Sequence, residues 1–167
     1  DLGSGALLDT AEFGLGHEPM VQESLEAGVD LVCFSGDKLL GGPQSGIILG
    51  REDLILKIAR HPLMRALRPD KICVAGLSAT LMHYLKDEAL EKVPVWRMIT
   101  MGLDEIEDRA VRLAALVDGE VVDGLSTVGG GSLPEETLPT RLVSISMRAP
   151  QRFAASLRER YIVARIH

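Results

Sequence analysis

The chain has 167 residues, of which 46% are hydrophobic and 25% charged, as is typical of a globular protein with one core or two small ones. Its net charge of −6 argues against a main nucleic-acid surface, because contacts to phosphates need clustered lysine and arginine. The sequence contains no run of about 18 apolar residues, so it predicts no membrane span. Two cysteines in apolar surroundings predict reduced thiols and a cytoplasmic location.

The first part of the chain predicts strands that alternate with helices. "DLGSG" (residues 1–5) is typical of a strand end followed by a tight loop. Residues 19–27 predict a short helix, and "VDLVCF" (29–34) and "SGIILG" (45–50) predict two buried strands. A helix is predicted from Glu52 to His61. Such alternation favours an α/β fold with a mostly parallel sheet.

The middle of the chain predicts helices, and the last part predicts strands and one helix. Pro69 opens a predicted helix that runs to about Leu85, and a long helix is predicted from about Val95 to Val117. After Asp118, "GEVVDG" and "RLVSISM" predict strands, joined by the glycine- and proline-rich "TVGGGSLPEETLPT", and "QRFAASLRER" predicts a helix. We interpret this last part as the start of a small α+β domain.

Lys38 stands where a predicted buried strand ends and the chain must turn sharply. Ser35 and Gly36 precede it, and Gly41 and Gly42 follow it. These small residues leave room for a flat ligand and let backbone N–H groups face it. A single loop lysine is usually a solvated surface residue, and the local pattern alone leaves that alternative open.

A lysine amine becomes a nucleophile when it is desolvated or close to other cations, and it then forms a Schiff base with an aldehyde. Pyridoxal phosphate is the cofactor that uses this bond most, and a carboxylate keeps its pyridine nitrogen protonated. Asp1 is a candidate for that carboxylate, but on spacing alone a strand-end cap is an equal alternative. Arg65 and Arg68 lie further along in "HPLMRALRPDK", where a solvated helix entrance is the alternative to anion binding.

Several other kinds of site are not supported by the sequence. The phosphate-binding pattern G-x-x-x-x-G-K-[ST] is absent, and so is G-x-G-x-x-G. The four histidines are scattered and the two cysteines are far apart, so no metal site is predicted. No G-x-S-x-G motif supports a serine nucleophile.

Four segments together carry a family resemblance: "DLGSG", "FSGDKLLGGPQSGII", "HPLMRALRPDK" and "LPTRLVSI". They resemble the bacterial selenocysteine synthases, the L-seryl-tRNA(Sec) selenium transferases, which are fold-type I pyridoxal-phosphate enzymes. The resemblance covers nearly all of the chain, and its lysine motif is highly specific. It implies the C-terminal half of a cofactor-binding large domain in residues 1–94, a linking long helix in 95–118, and a partial small domain in 119–167.

The resemblance also implies a role for each matching residue. Lys38 matches the catalytic lysine that binds the cofactor covalently, and Asp1 matches the aspartate that faces the pyridine nitrogen. Arg65 and Arg68 match an arginine pair associated with the anionic selenium donor, selenophosphate. The remaining matches form the wall of the cofactor site: Ser35, Gly36 and Asp37.

The implied reaction is a β-replacement on seryl-tRNA(Sec), in which selenium from selenophosphate replaces the seryl hydroxyl. The chain begins at Asp1 and ends at "YIVARIH", so we expect it to be a segment that lacks an N-terminal region. In the family that region grips the tRNA, and subunits of a cytoplasmic homo-oligomer complete one another's sites. We therefore expect the segment to be inactive alone and to self-associate.

Two alternatives come from other classes of function. The chain could belong to another fold-type I enzyme, an ammonia-lyase or desulfurase-like protein, in which Arg65 and Arg68 would bind a carboxylate or phosphate of a small amino acid. It could also serve as an oligomerisation or folding module with no chemistry. Copurified tRNA favours the synthase, and failure to bind cofactor favours the module.

Overall fold

The computed structural model of the protein describes residues 1–166. Helices and strands are mixed along the chain, which confirms the predicted α/β class. No helix in this part of the chain is both long enough and apolar enough to cross a membrane. The elements are, in order, a 3₁₀ helix at Thr10–Phe13, α1 Val21–Glu26, β1 Leu31–Ser35, β2 Gly46–Gly50, α2 Glu52–Ala59, α3 Leu63–Leu67, α4 Lys71–Leu85, α5 Ala89–Lys92, α6 Pro94–Ile99, α7 Leu103–Val117, β3 Glu120–Thr127, β4 Thr137–Ser144 and α8 Pro150–Glu159.

The described residues divide into two compact units. The first comprises residues 1–102 and 125–139, and the second comprises 103–124 and 140–166. The first unit contains β1, β2 and helices α1 to α6. The predicted domain boundaries after residues 94 and 118 refer to the architecture of the larger family and stay a prediction.

The prediction of a mostly parallel sheet is wrong for the named strands of the first unit. β1 and β2 pair antiparallel, with Leu31 opposite Gly50 and Ser35 opposite Gly46. The physical reason is the short connection between them, since a parallel pair needs a crossover of about a dozen residues or more. A parallel bridge does join Gly3 to Phe34, through the Leu2 N to Cys33 O and Ser35 N to Gly3 O hydrogen bonds of 2.9 and 3.1 Å.

Two hydrophobic clusters form the core of the first unit. In one, the indole of Trp96 is fully buried, and its neighbours are Ala6, Leu39, Ala89 and Val93. The other cluster contains Val21, Val32, Phe34 and Leu40. Val32 and Phe34 alternate with part-exposed residues along β1, because successive side chains of a strand point to opposite faces.

The predicted continuous helix from Val95 to Val117 is two helices, because α6 ends at Ile99 and α7 begins at Leu103. The Thr100 hydroxyl donates a 2.9 Å hydrogen bond to the Trp96 carbonyl, which competes with the helical backbone pattern. Gly102 follows, and glycine costs about 1 kcal/mol relative to alanine inside a helix. Two poor helix formers close together therefore break the helix here.

The second unit contains α7, α8, the part of β3 up to Gly124 and the part of β4 that begins at Thr140. Ala110 and Ala114, one helical turn apart, are buried on α7, and Ala154 is buried on α8. The Arg141 guanidinium on β4 forms ion pairs with Asp123 at 2.9 Å and with Glu107 at 3.2 Å. This arginine therefore ties a strand pair to α7 within the unit.

Candidate active site

Lys38 lies in the ten-residue loop that connects β1 to β2, and backbone hydrogen bonds fold this loop back on itself. Gly36 N donates to Ser45 O, and Gly42 N donates to Gly36 O, each at 2.8 Å. Gly41 N donates to the carbonyl of Lys38 at 2.9 Å. The predicted turn around Lys38 is therefore confirmed, and its backbone is fixed on both sides of the lysine.

The two residues after Lys38 anchor the loop in the core. Leu39 belongs to the cluster around Trp96 and Leu40 to the cluster around Phe34, and they are only 1% and 0% exposed. Burying a leucine side chain contributes about 1.5–3 kcal/mol. In addition, Leu39 N donates to Ser4 O at 3.0 Å, which links the loop to the N-terminal segment.

Tyr84 on α4 fixes the same loop from another direction. Its hydroxyl lies 2.9 Å from the Leu40 carbonyl and 3.2 Å from the Leu39 carbonyl, and it accepts a 2.6 Å hydrogen bond from the Trp96 indole. Burial raises the pKa of Tyr84 to about 12, so the phenol keeps its proton near neutral pH. It can therefore donate to the loop while it accepts from Trp96.

Lys38 is half-buried and lines a cavity of about 330 Å³ in the first unit. Small-molecule sites usually measure about 300–1,000 Å³. The loop supplies Asp37 and Gly41 to its wall, α6 supplies Val95 and Met98, and the glycine-rich segment after β3 supplies Gly130. A Cβ on Gly3 would lie 3.6 Å from Lys38 Nζ, so the N-terminal segment also passes close to the amine.

The other predicted cofactor residues lie on either side of this lysine. Ser35 is the last residue of β1, Gly36 is buried in the turn, and Asp37 is exposed at the cavity wall. Asp1 is exposed, and its Oδ1 accepts a 3.0 Å hydrogen bond from Gly3 N. That bond is the strand-end cap considered from the sequence, and the role of Asp1 toward a cofactor stays a prediction.

The predicted anion-binding arginines lie apart from the cavity wall. Arg65 is on the short helix α3 and Arg68 is its C-cap, and both are exposed. Neither forms an ion pair with any residue in 1–166. Residues 57–71 contain five lysines and arginines but one acidic residue, Asp70, so this segment is basic within an acidic chain.

Sequence reasoning missed two residues of this site, Tyr84 and Ser132. Tyr84 acts on residues that are 44 and 45 positions away in sequence, and no local pattern signals such a contact. Ser132 lines the cavity from the glycine-rich segment. The run of three glycines before it was the available signal, because Gly129, Gly130 and Gly131 all have positive φ, between 63° and 77°.

Comparisons with a protein-family model and with curated proteins all identify the same family. The protein-family model described as L-seryl-tRNA selenium transferase matches residues 1–167. An L-seryl-tRNA(Sec) selenium transferase of Clostridium perfringens is 50% identical over 153 residues, which cover 87% of this chain and 33% of that protein. The protein of that name from Hyphomonas neptunium is 47% identical over 167 residues, 95% of this chain and 36% of its own length.

An Escherichia coli protein with the same name is 48% identical over 155 residues, 87% of this chain and 34% of that protein. The chain therefore spans about a third of the length of the curated relatives that it matches. The similarity includes the part of the chain that holds Lys38 and its cavity, since the family model matches from the first residue to the last.

Proposed function

The chain belongs to the L-seryl-tRNA selenium transferase family, and on that premise we propose that it carries the cofactor lysine of an enzyme that converts seryl-tRNA(Sec) to selenocysteinyl-tRNA(Sec). The reaction is a β-replacement in which the seryl hydroxyl leaves and selenium from selenophosphate takes its place. The observation that carries this proposal is Lys38, half-buried in a cavity wall on a backbone fixed from both sides. Because the chain spans 33–36% of its relatives, we expect it to be inactive alone.

Pyridoxal phosphate fits the residues present, in what we propose is part of a fold-type I large domain. The cavity is of suitable size, and Gly3, which has no side chain, leaves space beside Lys38 Nζ. Pyridoxal phosphate, when bound, supplies an electron sink for the electrons released as the α-proton of an amino acid leaves. Lys38 would hold it covalently, Asp1 would bind its pyridine nitrogen, and Ser35, Gly36 and Asp37 would form the adjacent wall.

Lys38 has a second role in this proposal, as the base that moves the proton at the α-carbon of the seryl group. A group that transfers a proton must be held within hydrogen-bond reach of it. The bonds from Tyr84 and from Gly41 N limit how far the backbone at Lys38 can move. The loop therefore holds the base of the lysine side chain at one place in the cavity wall.

Arg65 and Arg68 are proposed to bind the anionic selenium donor. The guanidinium group has a planar fork that binds phosphate-like oxygens in pairs. The basic character of residues 57–71 and the absence of ion pairs to either arginine within residues 1–166 support this assignment. The pair would supply donors that no carboxylate of the described chain already occupies.

We also propose that the enzyme is a cytoplasmic homo-oligomer. Helix α4 supports this, because Ile72 and Leu85 are 84% and 78% exposed although they are large and apolar. A helix that is apolar all round is normally buried. Light scattering of the purified chain measures its mass in solution, and a monomer at micromolar concentration contradicts self-association.

Reductive labelling tests the cofactor assignment directly. The chain is mixed with about one equivalent of pyridoxal phosphate, reduced with borohydride and mapped by peptide mass spectrometry. We expect the label on Lys38, little on the other four lysines, and no selective label in Lys38→Ala. Even labelling of Lys57, Lys71, Lys86 and Lys92 contradicts a formed lysine site in this chain.

A chimera tests the reaction. The chain replaces the matching segment of the Clostridium perfringens relative, and the product is assayed with seryl-tRNA(Sec) and radiolabelled selenophosphate. We expect selenium transfer by the chimera and none by its Lys38→Ala variant. A folded chimera that binds pyridoxal phosphate but transfers no selenium contradicts the proposed function.

A further inference from the structure

The glycine-rich segment Gly129–Ser132 lies beside Lys38 in the first unit. Gly129, Gly130 and Ser132 line the same cavity of about 330 Å³ as the lysine. A Cβ on Gly130 would lie 4.0 Å from Lys38 Cγ. The segment therefore lies beside the lysine side chain on the wall of the same cavity.

The hydroxyl of Ser132 has no hydrogen-bonding partner among the described residues. Ser132 is 3% exposed, and its Oγ is buried. Buried polar groups are nearly always hydrogen-bonded, so an orphan hydroxyl in a cavity wall indicates a missing partner. The backbone of Ser132 is already used, because its N–H donates to Gly129 O at 3.1 Å.

The charges of the cavity wall limit what that partner can be. Of the residues that line it, Asp37 and Lys38 are charged, and no arginine is among them. While the substrate is on the cofactor, Lys38 is a free amine, so its charge and that of Asp37 balance and the wall has no excess of positive charge. The orphan donor is a neutral hydroxyl, which suits a neutral carbonyl oxygen better than a free carboxylate.

We propose that Gly129–Ser132 binds the acyl group of the substrate that reacts at Lys38, and that the Ser132 hydroxyl donates to its ester carbonyl oxygen. The inference rests on the proposed function, in which the amino acid is esterified to tRNA and has no free carboxylate. The charges and the neutral hydroxyl of the cavity wall then select an ester over a free amino acid. Ser132 is a substrate-binding residue that sets this specificity.

The experiment uses N-(5′-phosphopyridoxyl)-L-serine methyl ester, a reduced adduct that cannot react with Lys38, and the matching free acid. Nuclear magnetic resonance follows the amide signals of residues 129–132 in the full chain, and calorimetry gives the dissociation constants. We expect the ester to shift these signals and to bind at least fivefold more tightly than the acid. Ser132→Ala should weaken ester binding about tenfold, the size of one hydrogen bond.

Two variants control for folding. Ser126→Ala removes an exposed hydroxyl from β3 and should leave ester binding unchanged. Ser132→Cys replaces the hydroxyl by a somewhat larger thiol that is a weaker donor, so its ester binding should fall between that of serine and alanine. Thermal melting of each variant verifies that it is folded.

The outcomes separate the inference from the proposed function. Equal binding of the ester by the wild type, Ser132→Cys and Ser132→Ala overturns the inference, as does tighter binding of the free acid or no binding of the ester. Reductive labelling of Lys38 by pyridoxal phosphate is measured in the same samples. Labelling without an ester effect leaves the proposed function standing, whereas an ester effect without labelling supports the inference and contradicts the cofactor role of Lys38.

Discussion

The loop that carries Lys38 and the segment that carries Arg65 and Arg68 are both predicted to bind reactants, but they are held very differently. Around the lysine, Leu39 and Leu40 are fully buried and the backbone is hydrogen-bonded on both sides. Around the arginines no residue of α3 is buried, and Leu67 is 71% exposed. The backbone of the proposed cofactor lysine is packed into the core by this chain, whereas the segment of the proposed anion site is exposed.

The difference agrees with the role that is proposed for each group. A lysine that moves a proton must be placed to within a fraction of an ångström, and only packed neighbours give that precision. Arginines that bind a diffusing anion tolerate movement, since their side chains are long and their charge acts over several ångströms.

The variant that we expect to lower the stability most is Gly41→Ala, in the loop that carries Lys38. Gly41 has φ +77°, and a Cβ there would overlap Val93 Cγ1 and lie 3.1 Å from Val95 Cγ1. The left-handed backbone costs about 1–2 kcal/mol and overpacking about 1–3 kcal/mol. We expect urea unfolding to show a free energy of unfolding that is lower by about 2–5 kcal/mol.

Gly28→Ala is the matched control for that substitution. Gly28 has nearly the same φ, +79°, but a Cβ there would meet no atom within 4 Å beyond its chain neighbours. It should lose about 1–2 kcal/mol, the backbone cost alone. Equal losses for Gly28→Ala and Gly41→Ala would show that the loop yields to the added methyl group and is not tightly packed.

The next effect is that of Tyr84→Phe, which removes the hydroxyl but keeps the ring. The Trp96 indole N–H and the Leu40 carbonyl then lose their partner. An unsatisfied buried group costs about 1–3 kcal/mol, and we expect a loss of that size in urea unfolding. Tyr161→Phe, at a residue that is 97% exposed, should change stability by less than about 0.5 kcal/mol.

The pKa of Tyr84 gives a smaller and more local test. In Tyr161→Phe, Tyr84 is the one remaining tyrosine of the two, so phenolate absorbance reports it alone. Because its folded pKa is raised to about 12 from 10, its stabilising contribution is complete below pH 10 and is lost as the pH rises through 12. A titration midpoint near 10 in the folded chain would contradict the buried phenol.

The smallest expected effect on stability is that of Arg65→Ala with Arg68→Ala. Both side chains are exposed and unpaired within residues 1–166, so the double variant should lose less than about 0.5 kcal/mol. Thiophosphate, used as a probe for selenophosphate, should nevertheless bind less tightly to it in calorimetry. Arg60→Ala, at an exposed neighbouring arginine, is the control. An unchanged dissociation constant in the double variant contradicts the assignment.

Much of the local structure could be predicted because its signals are local. The strand before Lys38, the glycine turn after it and helix α2 each follow from a short pattern of apolar residues and glycines. The predicted mostly parallel sheet is wrong for β1 and β2 because alternation of strands and helices does not show that only ten residues connect these two strands. The break before α7 was missed because the apolar spacing continues across Gly102.

The candidate site was predictable only in part, for the same reason. Lys38 and Asp37 stand in a short motif, and the structure places both at the cavity. Tyr84 holds the loop and Ser132 lines the cavity, and both come from segments distant in sequence. The glycine run before Ser132 indicates an unusual backbone, but no spacing rule identifies either contact. The roles of Asp1, Arg65 and Arg68 depend on reactants and stay predictions.

The packing of Leu39 and Leu40 into two different clusters has a consequence for how the first unit opens. A fluctuation that exposes either cluster must pull on the same dipeptide, so the two clusters cannot open independently. Hydrogen exchange at the hydrogen-bonded amides of Leu39, Gly41 and Gly42 should therefore require the same opening free energy as exchange in β1. The proposed cofactor lysine would then be carried by one of the last segments of the unit to lose its order.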